Sequence, residues 1–512
     1  MWQHSELSEP WSGTLREQYW LTRFLFLRFL GLIYCVAFLS LSQQLRPLIG
    51  SDGLLPAASY LDHLLTAYGD RLSAFATAPT VFWLGCSDAL MQALSYVGLA
   101  LSLIVLAGFA NALVMAVLWF LYMSFVHVGQ IFYGYGWEIL VLETGFLAIF
   151  LCPLLDLRPF PARQPPPKAV IWLLRWVLFR VMLGAGLIKM RGDACWRDLT
   201  CMFYHYETQP LPNPFSWYLH QLPAAFHKFE VLVNHFVELI VPWSLLAPRR
   251  LRHIGGIFLV GFQLWLIISG NLSWLNWLTI TLCIACFDDQ ALAAVVPRRV
   301  CTRVVPLAGQ RPTRRRQAVT AALTLLILYL SIGPARNLLG SQQIMNGSFD
   351  AFDLVNTYGA FGGVGKRRPE IILEGTTDAA ITSATQWRAY EFKCKPGDVD
   401  RRPCVIAPYQ YRVDWQIWFA AMQSYRNNPW LVHLIVKLLH NDRGALSLLA
   451  NNPFPDQPPT FIRAELYEYA FTRFGDRTRA WWKRERIREY LAPVSLDNPT
   501  LIQYLLNHGW SQ

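Results

Sequence analysis

The sequence predicts a polytopic α-helical membrane domain followed by a β-rich α+β domain outside the cytosol. Apolar runs recur through the first two-thirds of the chain, and short alternating segments replace them after Pro334. Of the 512 residues, 54% are hydrophobic and 15% are charged, whereas soluble globular chains carry about 25% charged residues. The missing charge is concentrated before Pro334. We therefore expect a membrane domain at 1–333 and a water-facing lumenal or periplasmic domain at 334–512.

Helices of about 17–25 apolar residues can cross the ~30 Å hydrocarbon core of a bilayer, and the sequence contains nine apolar runs near this length. The eighth run is short and would also suit a re-entrant segment. The predicted spans are Phe24–Leu45, Ala89–Ala107, Ala110–Val128, Trp137–Leu155, Ala169–Met190, Lys228–Leu246, Ile254–Gly270, Leu272–Phe287 and Ala318–Gly333.

Arginine and lysine residues are concentrated in three predicted loops, at 156–168, 247–253 and 288–317. Nine spans place these loops on one side of the membrane, which the positive-inside rule assigns to the cytosol. The N-terminus is then cytosolic, and a large loop at 191–227 and all residues after Pro334 face the opposite compartment. The net charge of +11 is thus a topology signal, and no RNA-binding aromatic motif accompanies it to indicate nucleic acid.

The C-terminal third combines predicted strands and helices. Residues 428–441 and 444–450 have a helical pattern, and Trp481 and Trp482 precede a basic segment, Lys483–Tyr490, that we expect to be helical. Exposed aromatic residues here would also suit membrane anchoring, because Trp and Tyr favour the headgroup level. The segments whose alternation predicts β-strands are 368–376, 386–395, 410–419 and 462–474.

The loop at 191–227 concentrates histidines, aromatic residues and prolines. Its prolines favour a stiff, extended path across the membrane surface. Its aromatic residues suit recognition of an extended chain or a lipid, and equally suit a structural lid. The histidine spacing does not fit a metal-ligand pattern, so we expect no metal and no other cofactor. The candidate contacts to a client or ligand are Tyr204, His205, Tyr206, Glu207, Trp217, Tyr218 and His220.

Ionisable residues inside apolar spans are costly, which makes them candidates for structural or functional roles. Glu143 and Arg180 lie at compatible depths on consecutive antiparallel helices, where they could form an ion pair, and Glu238 is a third candidate. Lys189 ends the fifth span on the outer side. Its long stem can carry the amine to water, and the alternative is that desolvation makes this lysine a base.

Four cysteines lie on the predicted non-cytosolic side, where disulfides persist. Cys195 and Cys201 are close together in the loop, and Cys394 and Cys404 are close together in the C-terminal domain, so each pair could be bonded. The glycine-rich segment Gly359–Gly365 lacks the Lys-Ser/Thr of a P-loop and precedes a predicted strand, which indicates a turn. The sequence also contains no G-x-S-x-G nucleophile elbow, so we expect no lipase activity.

The chain resembles the lipase maturation factor family over nearly its whole length. The resemblance rests on YGWEILVLETGFLAIF at 135–150, YHYETQPLPNPFSWYLHQLP at 204–223 and the segment around 352–362. It implies a chaperone-like membrane protein, without chemistry of its own, that assists the folding and assembly of secreted lipases or other exported proteins. In an animal it would reside in the endoplasmic reticulum membrane, and a bacterial or short-form member would occupy the inner membrane. The implied partners are client proteins and membrane lipid.

A fainter resemblance links GAGLIKMRGDACW at 184–196 to the transmembrane domain of vitamin K-dependent gamma-glutamyl carboxylase. It implies a catalytic role for Lys189, with His205 or His127 nearby. The alternative function is therefore a membrane enzyme that uses Lys189 as a base on a lipid- or quinone-like substrate. The two hypotheses differ at this residue, because a folding factor should tolerate Lys189→Ala and an enzyme should not.

Overall fold

The computed structural model describes residues 15–508 and 510, so residues 1–14, predicted to be cytosolic, lie outside the described residues. Most of the described chain up to residue 339 is helical. The helices in this part are α1 (Trp20–Ile49), α2 (Ala57–Tyr68), α3 (Arg71–Thr77), α4 (Asp88–Ala107), α5 (Ala112–Val128), α6 (Gly136–Leu151), α7 (Lys168–Arg191), α8 (Ala194–Arg197), α9 (Met202–Thr208), α10 (Pro214–His220), α11 (Ala224–His235), α12 (Arg249–Ser269), α13 (Leu275–Cys283), α14 (Asp289–Leu292), α15 (Arg298–Val304), α16 (Arg314–Leu330) and α17 (Ile332–Leu339).

A helix lies at each of the nine predicted spans, and the chain is an integral membrane protein with several membrane helices. The predicted spans at 110–128, 137–155 and 272–287 coincide with the shorter helices α5, α6 and α13. Within the described residues, six helical segments are long and apolar enough to cross a membrane. These six are Trp20–Ile49, Asp88–Ala107, Lys168–Arg191, Ala224–Leu246, Arg249–Ser269 and Arg314–Leu339.

The fourth of these segments changes its helical geometry along its length. The α-helix α11 is followed by a π-helical turn at Phe236–Ile240 and then by a 3-10 segment at Val241–Leu246. Pro242, which has no amide hydrogen to donate, is the second residue of the tighter segment. Single π-turns inside helices are rare and occur frequently at functional sites. Glu238 lies within this π-turn.

The C-terminal region contains a two-stranded sheet and a four-stranded antiparallel sheet with the strand order β4-β3-β5-β6. In the larger sheet, Leu373 is opposite Tyr390 on one side and Ala464 on the other. The elements of this region are β1 (Gly347–Ser348), β2 (Asn356–Thr357), β3 (Arg368–Thr376), β4 (Arg388–Tyr390), α18 (Arg412–Ala421), α19 (Pro429–Leu439), α20 (Arg443–Ser447), β5 (Phe461–Phe471), β6 (Trp482–Val494) and α21 (Pro499–Asn507).

The strand predicted at 410–419 is wrong, because these residues form helix α18. Its aromatic residues imitate strand alternation. However, Val413, Ile417 and Ala420 are all buried, and their spacing of four and three residues places them on one face of a helix. The strand predicted at 386–395 is reduced to the three residues of β4.

The basic helix predicted at Lys483–Tyr490 is also wrong, because this segment is part of strand β6. The charges on β6 have partners on the neighbouring strand. Arg486, whose register partner is Tyr467, reaches diagonally to β5, where its Nε donates to Glu465 Oε2 at 2.8 Å. Opposite charges on neighbouring strands stabilise the pairing. The predicted strands at 368–376 and 462–474 are confirmed as β3 and β5, and the helices predicted at 428–441 and 444–450 as α19 and α20.

The membrane bundle and the C-terminal region share one continuous hydrophobic core. Buried residues of α1, α6 and α7 belong to the same cluster as those of α18, α19 and β5. Gly184 in α7 allows a close approach, because a Cβ atom there would collide with the carbonyl oxygen of Tyr358. The C-terminal region is therefore packed into the bundle, whereas the sequence predicts a domain that only lies on the membrane surface.

Candidate functional site

A cavity of about 650 Å³ lies at the junction between the bundle and the C-terminal region. This volume is within the range of about 300–1,000 Å³ that is usual for small-molecule sites. The irregular segment Gly359–Gly365 forms part of its wall. Most other lining residues are apolar or aromatic, and they include Trp137, Val181, Met182, Ala185, Phe262, Leu266, Leu272, Trp415, Trp418 and Phe419.

A smaller chamber of about 70 Å³ shares walls with this cavity and contains Lys189. Lys189 Nζ lies 2.5 and 2.6 Å from the two carboxylate oxygens of Glu238 and 3.2 Å from Asn234 Oδ1. These contacts occupy all three N–H donors of the ammonium group. Lys189 is only 3% exposed, so the prediction that its amine reaches water is wrong. A buried ammonium is costly unless it is paired, and Glu238 provides the pairing charge.

The two histidines predicted beside Lys189 have different positions. His205 lines both chambers and packs edge-on against Phe361, with ring centroids 4.9 Å apart. Burial, with a smaller effect from the positive charge of Lys189, lowers the pKa of His205 to about 4. His127 instead has its Nε2 3.8 Å from Asp353 Oδ2. The structure therefore places His205 beside Lys189 but directs His127 to another partner.

Arg180 and Glu143 form a buried ion pair inside the bundle. Residues of the C-terminal region complete this group. The Tyr358 hydroxyl donates to Glu143 Oε2 at 2.7 Å, and the Asn356 amide donates to the same oxygen at 3.0 Å. The structure thus brings together the two residues that the sequence suggests as partners, and it adds a contact to β2 that the sequence does not indicate.

A second buried ion pair joins Glu138 of α6 to Arg412 of α18, with Arg412 Nη1 2.8 Å from Glu138 Oε1. Arg412 also donates to the carbonyl oxygen of Phe132 at 2.7 Å. Sequence reasoning missed this pair because it assigns Arg412 to a strand outside the membrane. The signal that could have indicated a partner is Glu138 itself, an acidic residue in an apolar span.

The loop at 191–227 folds into the short helices α8, α9 and α10 and then enters α11, so the predicted extended path is wrong. Local capping explains α10. Asn213 and Ser216 form a reciprocal capping box, and Pro214 occupies the first helical turn, where its missing amide hydrogen costs little.

Several candidate contact residues in this loop are not available to a partner. His205 and Tyr206 are buried. Glu207 accepts a hydrogen bond from the Phe471 amide at 2.6 Å and lies 3.7 Å from His220. Burial raises the pKa of Glu207 and lowers the pKa of His220 to about 4. Glu207 and His220 attach the loop to Phe471 of β5, and Tyr204 is half-buried.

Aromatic residues of the loop and of the C-terminal region form a shared, partly exposed cluster, which we call the aromatic patch: Trp217, Tyr218, Phe474 and Trp481. The Trp217 ring lies 5.0 Å from Tyr218, 6.0 Å from Phe474 and 5.5 Å from Trp481. Tyr218 is 52% exposed and Phe474 is 76% exposed. Trp217 Nε1 donates to Thr472 Oγ1 at 3.1 Å, which fixes the loop to the end of β5.

Disulfide bonds join Cys195 to Cys201 and Cys394 to Cys404. The first closes the chain between α8 and α9. The second lies beside the bundle, where Asn271 Nδ2 donates to the Cys404 carbonyl oxygen at 2.9 Å. Among residues 15–508 and 510, no group of three or more His, Cys, Asp or Glu side chains is arranged to hold a metal ion.

Two family models match the chain. The lipase maturation factor transmembrane domain matches residues 21–294, and the lipase maturation factor C-terminal domain matches residues 354–492. Lipase maturation factor 1 of Homo sapiens is 48% identical over 96% of this chain and 90% of its own length. The Bos taurus protein of the same name is 49% identical over 96% and 92%. Lipase maturation factor 2 of Xenopus laevis is 31% identical over 96% and 84%. No solved structure matches the chain.

Proposed function

This chain belongs to the lipase maturation factor family, and from that premise we propose that it assists the folding and assembly of secreted lipases through the aromatic patch. The maturation role follows from the family. The contact surface, the topology and the absence of chemistry are our proposals.

The observation that carries the proposal is the position of the aromatic patch. It joins the loop at 204–223 to the C-terminal region, and Tyr218 and Phe474 remain largely exposed. Clustered exposed apolar side chains usually mark an interaction site, and Trp and Tyr are enriched in protein interfaces. A lipase that has not completed its fold exposes apolar surface of its own, which is the chemistry that this patch would bind.

The patch has a simpler alternative as a membrane anchor at the headgroup level. The neighbouring strand favours a protein client instead. Phe471, at the end of β5, stacks on Trp482 with ring centroids 4.3 Å apart, and from there β6 continues through the exposed charges Lys483, Arg484 and Glu485. Charges of both signs beside aromatic residues suit a mixed protein surface.

We propose that the chain has nine spans and a cytosolic N-terminus, with a membrane domain at 1–333 and an extracytosolic domain at 334–512. The loop at 191–227 then lies on the extracytosolic side. The arginine-rich loops support this orientation, as do the two disulfides, which persist in oxidising compartments. The animal relatives favour the endoplasmic reticulum membrane. Other exported proteins and membrane lipid are further proposed partners.

In this proposal Lys189 is structural. Its three donors are used by Glu238 and Asn234, so a role as a base would first require it to leave this pair. This geometry favours a maturation factor without its own chemistry over the alternative membrane enzyme that acts on a lipid- or quinone-like substrate.

A photocrosslinking amino acid at position 218, in cells that also express a secreted lipase, tests the proposed contact. We expect the newly made lipase to be captured from position 218. The matched control is position 381, because Ile381 is also exposed in the C-terminal region but lies outside the patch. Equal capture from both positions, or capture of lipid alone from position 218, would contradict the proposal.

A further inference from the structure

We propose that the 650 Å³ cavity and its side chamber bind one uncharged amphiphilic lipid with a hydroxyl-bearing head. The head would lie beside Lys189 and Glu238, and the hydrocarbon chain would occupy the larger space. This inference goes beyond the proposed client role, which does not use the cavity.

The larger space has the chemistry of a hydrocarbon site. Val181, Met182 and Ala185 of α7 form one wall, and Trp415 and Phe419 of α18 form another. Removing apolar ligand surface from water stabilises binding in proportion to the area buried. An apolar lining of this size therefore favours an extended hydrocarbon over a polar metabolite.

Glycines enlarge this space on a third side. The segment Gly359–Gly365 lines the cavity, and Gly359 and Gly362 pack closely against Ile188 of α7. A Cβ atom at Gly363 would have no neighbour within 4 Å. The first two glycines therefore let the segment lie against α7, and Gly363 leaves room that a larger side chain would occupy.

The side chamber provides the polar end. Lys189 and Glu238 have opposite charges that cancel, and the buried His205 beside them is neutral because its pKa is about 4. Glu230 also lines the chamber, and its carboxylate is already hydrogen-bonded to Tyr206 and His227. A phosphate head would bring further negative charge next to the Glu238 carboxylate. An uncharged head avoids this repulsion.

The hydrogen-bonding positions that Lys189 and Glu238 leave unused favour a ligand head group that donates a hydrogen bond. Lys189 has no free N–H group. Glu238 accepts two hydrogen bonds from Lys189 and one from Asn234 Nδ2 at 3.0 Å, whereas a carboxylate offers about four acceptor positions. A hydroxyl head group fits the unused acceptor position, because its O–H can donate to Glu238.

The backbone around Glu238 gives independent support. Glu238 lies in the π-turn at Phe236–Ile240, where the span departs from α-helical geometry. Such turns are concentrated at functional sites. This one brings Glu238 into both chambers, since the residue lines the larger space as well as the smaller one.

The test uses the full-length protein in lipid nanodiscs and two photoreactive probes of equal chain length, a monoacylglycerol and a lysophosphatidic acid. We expect the monoacylglycerol to label peptides of α7, α12 and α18 at least about five-fold more strongly than the anionic probe, a difference of about 1 kcal/mol. Preferential labelling by the anionic probe would overturn the proposal. Labelling confined to the lipid-facing helix surface would also overturn it.

A matched pair of variants on α12 tests the location. Leu266 lines both chambers, whereas Leu264 is exposed on the outside of the same helix. We expect Leu266→Trp to reduce labelling by at least about five-fold, or about 1 kcal/mol, and Leu264→Trp to leave it unchanged. Equal labelling of the two variants would overturn the proposal. If Leu266→Trp does not fold, Ala185→Leu fills the same space with a smaller change, and the labelled peptides of the unmodified protein still identify the site.

Discussion

Arg412 of α18 and Glu138 of α6 form a fully buried ion pair, 2.8 Å between Arg412 Nη1 and Glu138 Oε1, although 274 positions separate them in the chain. Neither charge reaches water. Each therefore depends on the other, because an isolated buried charge is far more costly than a buried pair. The same pair joins the membrane bundle to the C-terminal region.

The first prediction concerns this pair. Arg412→Met leaves the Glu138 carboxylate buried without a pairing charge, although the Tyr122 hydroxyl still donates to it, and we expect the substitution to destabilise the protein by about 3–5 kcal/mol. Thermal unfolding in detergent measures the effect. The control is Arg486→Met, which removes an exposed guanidinium from Glu465 while Arg463 remains as a partner of that carboxylate, so it should cost less than about 1 kcal/mol. A double variant, Arg412→Met with Glu138→Leu, should recover much of the loss, and no recovery would show that the pair is not the cause.

The second prediction separates a structural from a catalytic role of Lys189. The sequence alone suggests that a folding factor tolerates Lys189→Ala. The structure changes this expectation, because the substitution leaves Glu238 unpaired in the bundle. We expect Lys189→Ala to lower protein abundance and, with it, the secreted lipase activity. The double variant Lys189→Met with Glu238→Met should restore both, whereas a catalytic lysine would leave this variant abundant and inactive.

The third prediction concerns the aromatic patch. Tyr218→Ser together with Phe474→Ser removes two exposed aromatic contacts without opening the core. We expect active secreted lipase to fall at least about three-fold while the abundance of the factor stays constant, since aromatic anchors carry much of the energy of protein interfaces. Ile381→Ser, an exposed apolar substitution outside the patch, is the control. Unchanged lipase secretion in the double variant would contradict the proposed contact surface.

The fourth prediction concerns pH. Burial lowers the pKa of His205 to about 4 from the ordinary value of 6.5. Between these two pH values, the folded protein keeps this side chain neutral, whereas the unfolded chain binds a proton. The resulting stability is present above pH 6.5 and is lost as the pH falls from about 6.5 toward 4. We expect His205→Asn to weaken this loss by up to about 1.4 kcal/mol per pH unit. Melting temperatures between pH 4.5 and 7.5 measure it, and parallel curves for the two proteins would refute the assignment.

Local signals in the sequence predicted the positions of the six helical segments long enough to cross a membrane, because length and apolarity are properties of consecutive residues. The same local reasoning failed where contacts with distant segments of the chain determine the secondary structure. Residues 410–419 alternate as a strand would, yet their packing against the bundle selects a helix. The basic residues of β6 suggested a surface helix. The segment is instead a strand paired with β5, where Glu465 provides the opposite charge for Arg486.

The candidate site was less predictable than the fold. Lys189, Glu238 and His205 could each be selected as unusual residues in or beside apolar spans. Their meeting place depends on the π-turn and on the packing of segments far apart in the chain, and neither has a local sequence signal. The glycine-rich segment at 359–365 looked like a simple turn, and its role as a cavity wall appears only when α7 lies against it.

The continuous core has a consequence for shortened chains. Two buried acidic residues of α6, Glu138 and Glu143, rely on groups contributed after residue 355: the Arg412 guanidinium for the first, and the Asn356 amide and Tyr358 hydroxyl for the second. A premature stop codon before these positions would therefore destabilise the helical bundle as well as remove the C-terminal region. Alleles of this type are expected to behave as complete losses, with the fragment degraded instead of retaining partial activity.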